Sequence, residues 1–524
     1  MIFDVNSLED DFTLDCDLCI VGAGAAGLTI ATEFLASDWN VILLEGGDSQ
    51  FDEESQGLYD CIIEGMKFTG AAEGRYRVFG GSTVMWAGQC FEFADVDLEA
   101  RDYIEHSGWP LDRKALRPYY HRANRFLQLD ELNYDTDLFE LFGSQPLPFS
   151  PGSLKHQFSK FVPQPDIRKK IRGTLEAATN VAVYLKANVV DIEMNDGLER
   201  AECVAVKSLQ GKQGKVRSKF FAMCCGGIEN ARLLLSCNRQ LPDGLGNRGG
   251  LVGRYFGDHP TANVGIIKPR DKTALWQFAT QIRNGIKYHP RFILDEQLQR
   301  AQRLPNAYGI PQVIPERFFI DCKKVWIALK TRRVKPETVL KILALAMRPE
   351  TYEIGYQYLV RGRVMQPGAS GLDFSVWVEQ EPNFDSRVGL SQETDRLGQP
   401  KAVIDWQLSD LTGETLVSFA KILKSEIEAI GLGDVELADW LADWKTQWRD
   451  HVTDKYHHIG TTRMGASPAT GVVNIQCRIH DIDNMYIAGS SVFPTGGHSS
   501  PTLTIVALAM RLADHLKKER DPSP

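Results

Sequence analysis

The sequence predicts an α/β chain (α+β overall) with a discontinuous Rossmann-like dinucleotide-binding domain and a second domain on an antiparallel sheet. Three observations predict this. A strand, glycine turn, helix and strand stand at the N-terminus. A second apolar run ends in the glycine pair Gly226-Gly227. Alternation of apolar and polar residues over 372–378 and 402–406 marks half-buried strands.

The N-terminal unit carries the most information. Residues 17–21 (DLCIV) are a short apolar run of the length of a buried parallel strand. Gly22-Ala23-Gly24-Ala25-Ala26-Gly27 follows at once, then an apolar helical stretch over 28–35, a second strand over 41–44, and Glu45. This is the Gly-x-Gly-x-x-Gly fingerprint with an acidic residue about 20 residues on. Gly22 permits a tight turn, Gly24 lets a pyrophosphate approach the backbone, and Gly27 lets helix and strand pack closely. Amides at the helix start, helped by the helix dipole, hold phosphates, and Glu45 accepts from the adenosine ribose hydroxyls. The motif by itself leaves FAD and NAD open. Its place at the very start of a long two-domain chain favours FAD.

Composition sets the surroundings. With 524 residues the chain divides into two or three domains, and a formal charge of −9 without a Lys/Arg-rich arm excludes a nucleic-acid partner. The first residues, MIFDVNSLEDDFTLD, lack the basic and apolar regions of a secretory leader, and no Asn-x-Ser/Thr sequon occurs. The ten cysteines follow no regular framework, so neither a zinc site nor a dithiol redox motif is expected. No apolar run reaches the roughly 18 residues needed to span a bilayer. The expectation is a cytoplasmic enzyme with no metal.

Further segments identify the flavin class. Arg77-Val78-Phe79-Gly80-Gly81-Ser82-Thr83-Val84-Met85-Trp86 is a glycine-rich turn running into bulky residues, and residues 246–260 read GNRGGLVGRYFGDHP. Residues 379–390 (EQEPNFDSRVGL) lead into the strand-like AVIDW of 402–406. His457-His458-Ile459-Gly460-Thr461-Thr462-Arg463-Met464-Gly465 and 484–508 (NMYIAGSSVFPTGGHSSPTLTIVAL) complete the series. Together, and in this order along the whole chain, they resemble the glucose–methanol–choline (GMC) flavoprotein oxidoreductases, most closely the bacterial sugar and polyol dehydrogenases and the pyranose oxidase-like branch.

The resemblance implies FAD and a set of contacts. The turn with Gly80, Gly81, Ser82, Val84, Met85 and Trp86 would pass alongside the isoalloxazine ring. Val190, Cys225, Gly489 and Ser490 would complete the cofactor site. The helix opening at Pro501, Thr502 and Leu503 would point its positive end at the pyrimidine edge and stabilise the anionic reduced flavin. Pro501 near its first turn and Arg511, His515, Lys517 and Lys518 towards its end suit such a helix. Some relatives attach FAD through a histidine in the 80–86 turn. Met85 stands there, so the cofactor is expected to be non-covalent.

Alcohol oxidation needs a base for the hydroxyl proton as hydride leaves the carbon. By the family motif that base is His457, three residues before Gly460, with His458 pointing elsewhere. The family's second catalytic residue, His or Asn, sits just before the Pro-Thr-Leu-Thr helix. Here that residue is Ser500, which can hold a substrate oxygen but cannot act unaided as a base near neutral pH. His498, two residues earlier, either reaches the site or is a loop histidine outside it.

The expected FAD domain comprises 1–130, 180–265 and 455–524, and the substrate domain 131–179 and 266–454. Trp276, Phe278, Trp377 and Trp406 either stack on sugar faces or, more simply, fill the core. Residues 323–363 mix cations with an apolar helical segment over 339–347. This stretch rests on a membrane near a quinone pool, closes over substrate, or is a solvated amphipathic helix, the plainest of the three. Residues 519–524 read as a disordered tail. The expected function is hydride transfer from the CH–OH group of a sugar, glycoside or polyol to FAD, with oxygen, a quinone or a redox protein as acceptor. The alternatives are a non-oxidative flavin enzyme of the same family (lyase or decarboxylase) and an accessory flavin-binding protein.

Overall fold

The computed structural model describes residues 1–520 except 135, 315–317, 319, 323, 326–335 and 365–370. The end of the expected tail and a large part of the 323–363 stretch lie outside the described residues.

Two large sheets organise the chain. In the first, six strands run parallel in the order Ile2–Asp4, Val181–Leu185, Val41–Leu44, Phe12–Val21, Gln213–Met223 and Met485–Ile487. Ala201–Lys207 and Asn188–Met194 extend it in antiparallel fashion from the first half of Gln213–Met223. The strand expected over 17–21 begins earlier, at Phe12, because it pairs along its length with Gln213–Met223. Residues 12–16 are half-buried or exposed, so they carry no apolar signal. Beyond the ends of two of these parallel strands lie the Gly22–Gly27 turn and the Gly226-Gly227 pair, each leading into a helix, Ala25–Glu33 and Gly226–Ser236.

Among the described residues the second sheet has nine strands, all antiparallel, with Ala307–Val313, Leu372–Val378 and Thr261–Pro269 side by side. Leu372–Val378 alternates buried and half-buried residues, as its sequence predicts. The 402–406 segment differs. Its strand, Pro400–Asp405, belongs to a separate three-stranded sheet with Arg387–Thr394 and Cys61–Ile63.

The final helix, Thr502–Arg520, packs against Ala25–Glu33 and Arg113–Phe126. Arg122 joins the three, with its guanidinium 2.6 Å from both Glu33 and Asp514. A deeper pair, Arg101 and Glu379, is fully desolvated and bidentate at 2.7 and 2.6 Å. Such a pair fixes geometry more than it adds net stability. It ties the 95–109 region to the residue following Leu372–Val378. Apolar side chains from both large sheets merge into one continuous core.

The ten cysteines are all free. Cys16 and Cys19 do have the spacing of a dithiol pair, contrary to the expectation of no such motif. They lie within Phe12–Val21, and burial pushes the Cys19 thiol far up, which makes it unreactive.

Candidate active site

A cavity of about 930 Å³ opens where the two glycine turns, the 80–86 turn and the start of the last helix converge. Its walls include Gly22, Gly24, Ala25, Ala26, Glu45, Gly81, Ser82, Met85, Trp86, Val190, Cys225, Gly489, Ser490, Pro501 and Thr502. His457 and Ser500 line it too. Gly27, Gly80, Val84 and Leu503 stand one step back from the wall, and His498 is outside it.

The dinucleotide end follows from backbone geometry. Gly22 has φ +101°, and a Cβ there would lie 2.7 Å from the Cys224 carbonyl oxygen. A Cβ on Gly27 would meet the Gly22 carbonyl oxygen, so helix and turn pack as closely as their backbones allow. Gly24 is different: a Cβ there would meet no protein atom within 4 Å. It faces a gap, at a helix start that no side chain caps. Free amides and open space together form a cradle for an anion such as a diphosphate. Nearby, Arg77 lines the cavity with its Nε buried and unpartnered. Glu45 is buried, and its two oxygens accept from the amides of Ala23 (2.9 Å) and Gly47 (2.8 Å). Burial raises its pKa against the pull of those bonds and of Arg77. Each oxygen keeps a second lone pair for a ribose hydroxyl. These residues fit a dinucleotide flavin.

The reactive end is built on Asp258. Its carboxylate accepts from the amides of His259 (2.6 Å), Lys455 (3.0 Å) and His457 (3.0 Å), clamping the segment before Thr261–Pro269 to the 455–457 stretch. Burial and neighbouring Asp454 push Asp258 up to about 7, while the three amides oppose that rise. The two histidine rings then meet Nδ1 to Nδ1 at 3.0 Å. His259 Nε2 lies 2.8 Å from the Gly497 carbonyl oxygen. A carbonyl only accepts, so His259 carries its proton on Nε2. Burial lowers the His259 pKa to about 4, so the ring is neutral and its Nδ1 is bare. His457 must then donate from Nδ1, which leaves His457 Nε2 as a lone pair. That nitrogen has no hydrogen-bond partner among the described residues, and His457 borders the cavity. Burial, then the charges of His259, His458 and Lys455, hold the His457 pKa well below the ordinary value.

His458 borders the same cavity, with its ring packed against Phe68 and Phe256 at centroid distances of 5.5 and 6.0 Å. Ser500 is buried at the cavity wall, beside Tyr308. His498 is buried elsewhere. Its Nδ1 is 2.8 Å from Asp97 and 3.0 Å from Asn306, and its carbonyl accepts from Arg291. Of the aromatics considered, Phe278 and Trp406 are core, Trp276 packs against the core, and Trp377 lines the cavity.

Sequence reasoning did not single out His259 or Asp258, although both stand in the GDHP segment it quoted. The signal was an acid and a histidine together before a strand. Their partner lies about 200 residues away, as the His457–His259 separation of 198 shows.

Comparison with known proteins places the chain in a family. A family model described as GMC oxidoreductase matches residues 382–509. Dehydrogenase str4 of Strobilurus tenacellus is 35% identical, over 98% of this chain and 96% of that protein. The 2-methyl-1,2-propanediol dehydrogenase of Mycolicibacterium austroafricanum is 22% identical, over 96% and 95% respectively. The solved structure of pyridoxine 4-oxidase from Mesorbium loti shares the fold, with a TM-score of 0.59 at 15% identity over 95% of this chain and 99% of that one. The chain therefore belongs to the GMC oxidoreductases, flavoprotein enzymes that act on CH–OH donors.

Proposed function

We propose that this chain oxidises a CH–OH group of a sugar, glycoside or polyol, with FAD bound non-covalently and His457 as the general base. The observation that carries the reading is the bare Nε2 of His457 at the wall of the same cavity as the Gly24 cradle. Bound FAD supplies the hydride acceptor. The substrate hydroxyl donates to His457 Nε2, which takes its proton as the C–H bond breaks, and a carbonyl compound is left. Ser500, at the wall of the same cavity, offers a hydroxyl to orient the substrate oxygen.

Met85 supports the non-covalent attachment. It lines the cavity in the turn where covalent relatives place histidine, and its thioether is no nucleophile for such a bond. The two-sheet architecture supports a division of labour, with the parallel sheet holding the cofactor and the antiparallel sheet carrying Trp377 towards the substrate. The test of the reading is anaerobic mixing of the purified holoenzyme with sugars, glycosides and polyols, followed by flavin absorbance. Acid denaturation that releases all flavin to solution would support non-covalent binding.

A further inference from the structure

The helices Pro336–Ala346 and Pro349–Leu359 break the usual rule that a surface helix turns its apolar stripe inward. No described residue of 339–364 is buried. Leu340 is 69% exposed, Leu343 60% and Met347 83%, in steps of three and four residues along one side. Tyr352, Tyr356, Leu359 and Val360 make a second exposed stripe at the same spacing. This is not the solvated amphipathic helix expected from the sequence. Isolated exposed hydrophobes are ordinary, but an exposed stripe on each of two successive helices marks a contact surface.

The cations beside the stripes identify what is contacted. Among the described residues 339–364, Lys341, Arg348, Arg361 and Arg363 stand against Glu350 and Glu353, a net +2 in a chain of net −9. Arg283, Arg361 and Arg363 cluster where Thr280–Arg283 pairs with Arg363–Val364, with Arg283 donating to the Arg361 carbonyl at 3.0 Å. No carboxylate of the described residues lies within ion-pair distance of these three. Arg363 is held low by burial and by both neighbouring arginines, as expected of a cationic patch without counter-charge. A second copy of this chain fits poorly, since a two-fold contact would set these cations against their own copies. No helix of the described residues is long and apolar enough to cross a membrane. Short helices with leucine and tyrosine stripes flanked by cations suit the interface of an anionic bilayer.

We propose that this helical pair docks the enzyme on an anionic phospholipid surface, with Leu340, Leu343 and Met347 entering the headgroup boundary and Arg283, Arg361 and Arg363 meeting lipid phosphates. The test is co-sedimentation of the flavin-loaded protein with vesicles of phosphatidylcholine alone or of equal parts phosphatidylcholine and phosphatidylserine. Binding to the anionic vesicles only is expected. It should weaken about fivefold for each cation removed in Arg361→Glu/Arg363→Glu, and more than about tenfold in Leu340→Glu/Leu343→Glu. Leu340, Leu343 and Arg361 are exposed and Arg363 is half-buried, and none of the four lines the flavin cavity, so activity and bound flavin should stay as in the parent. Absence of binding to either vesicle, equal binding to both, or binding indifferent to the substitutions would overturn the proposal. So would a dimer of the parent protein that Leu340→Glu/Leu343→Glu dissociates, which would assign the face to a second copy.

Discussion

His457 and His259 meet Nδ1 to Nδ1 at 3.0 Å with their ring planes 87° apart, and this contact decides which nitrogen of His457 faces the cavity with a lone pair. The chain of donors runs from His457 Nδ1–H to His259 Nδ1, and from His259 Nε2–H to the Gly497 carbonyl. Asp258 keeps it in place through three backbone amides. The fold thus selects a tautomer without an ionised partner on either ring.

Removing the base gives the first prediction. His457→Ala should lower kcat/KM by about 10²- to 10⁴-fold while the flavin remains bound. Stopped-flow reduction of the loaded enzyme checks it, and an unaltered reduction rate would reject His457 as the base.

Replacing the partner gives a different signature. His259→Phe removes both the acceptor at Nδ1 and the bond to Gly497, so His457 is free to carry its proton on either nitrogen. The expected result is at least about a tenfold fall in kcat with little change in KM, and an acid limb moved towards the ordinary histidine value. A merely structural role for His259 would leave the position of that limb unchanged.

The pH dependence of rate follows from the direction of the His457 shift. Burial and neighbouring positive charge lower its pKa well below about 6.5, so the ring stays neutral through pH 7. The acid limb of kcat/KM should therefore lie below pH 6.5.

Stability should respond to the same physics. Burial holds His259 and His289 at about 4 and His156 and His458 at about 3. All four are depressed, so the unfolded chain binds more protons below its own histidine value. Their contribution is fully present above about pH 6.5 and is lost as pH falls towards 4 and 3, by about 1.4 kcal/mol per pH unit for each histidine in that window. At constant salt this contribution should leave Tm level from pH 7.5 to about 6.5 and lower it from there to pH 5.

Two glycines of one motif should separate cofactor binding from folding. Gly24→Leu places a side chain where no protein atom stands, so the chain should fold but lose flavin. Gly27→Ala drives a Cβ into the Gly22 carbonyl, so it should cost about 1–3 kcal/mol of stability. Flavin content and Tm of the two variants provide the check.

Much of the fold was legible because its signals are local. The run 17–21, the spaced glycines and Glu45 lie within thirty residues of one another, and each glycine has a distinct steric reason to be there. The first half of Phe12–Val21 was not legible, since strand pairing rather than apolar burial extends it. Nor was the sheet to which 402–406 belongs, because its parallel partner Cys61–Ile63 is more than three hundred residues away. The same holds for the site. His457 could be named from its own motif, but whether His498 or Ser500 reaches the cavity depends on loop geometry. Asp97 and Asn306 draw His498 into the protein, while Ser500 stays at the wall beside Tyr308.

The central claim is that this cavity oxidises an alcohol carbon, and anaerobic spectral titration of the yellow holoenzyme tests it most directly. The account predicts that a sugar, glycoside or polyol bleaches the oxidised flavin band, and that His457→Ala bleaches far more slowly with the same compound. A flavin-loaded enzyme that no alcohol of these classes reduces would contradict it.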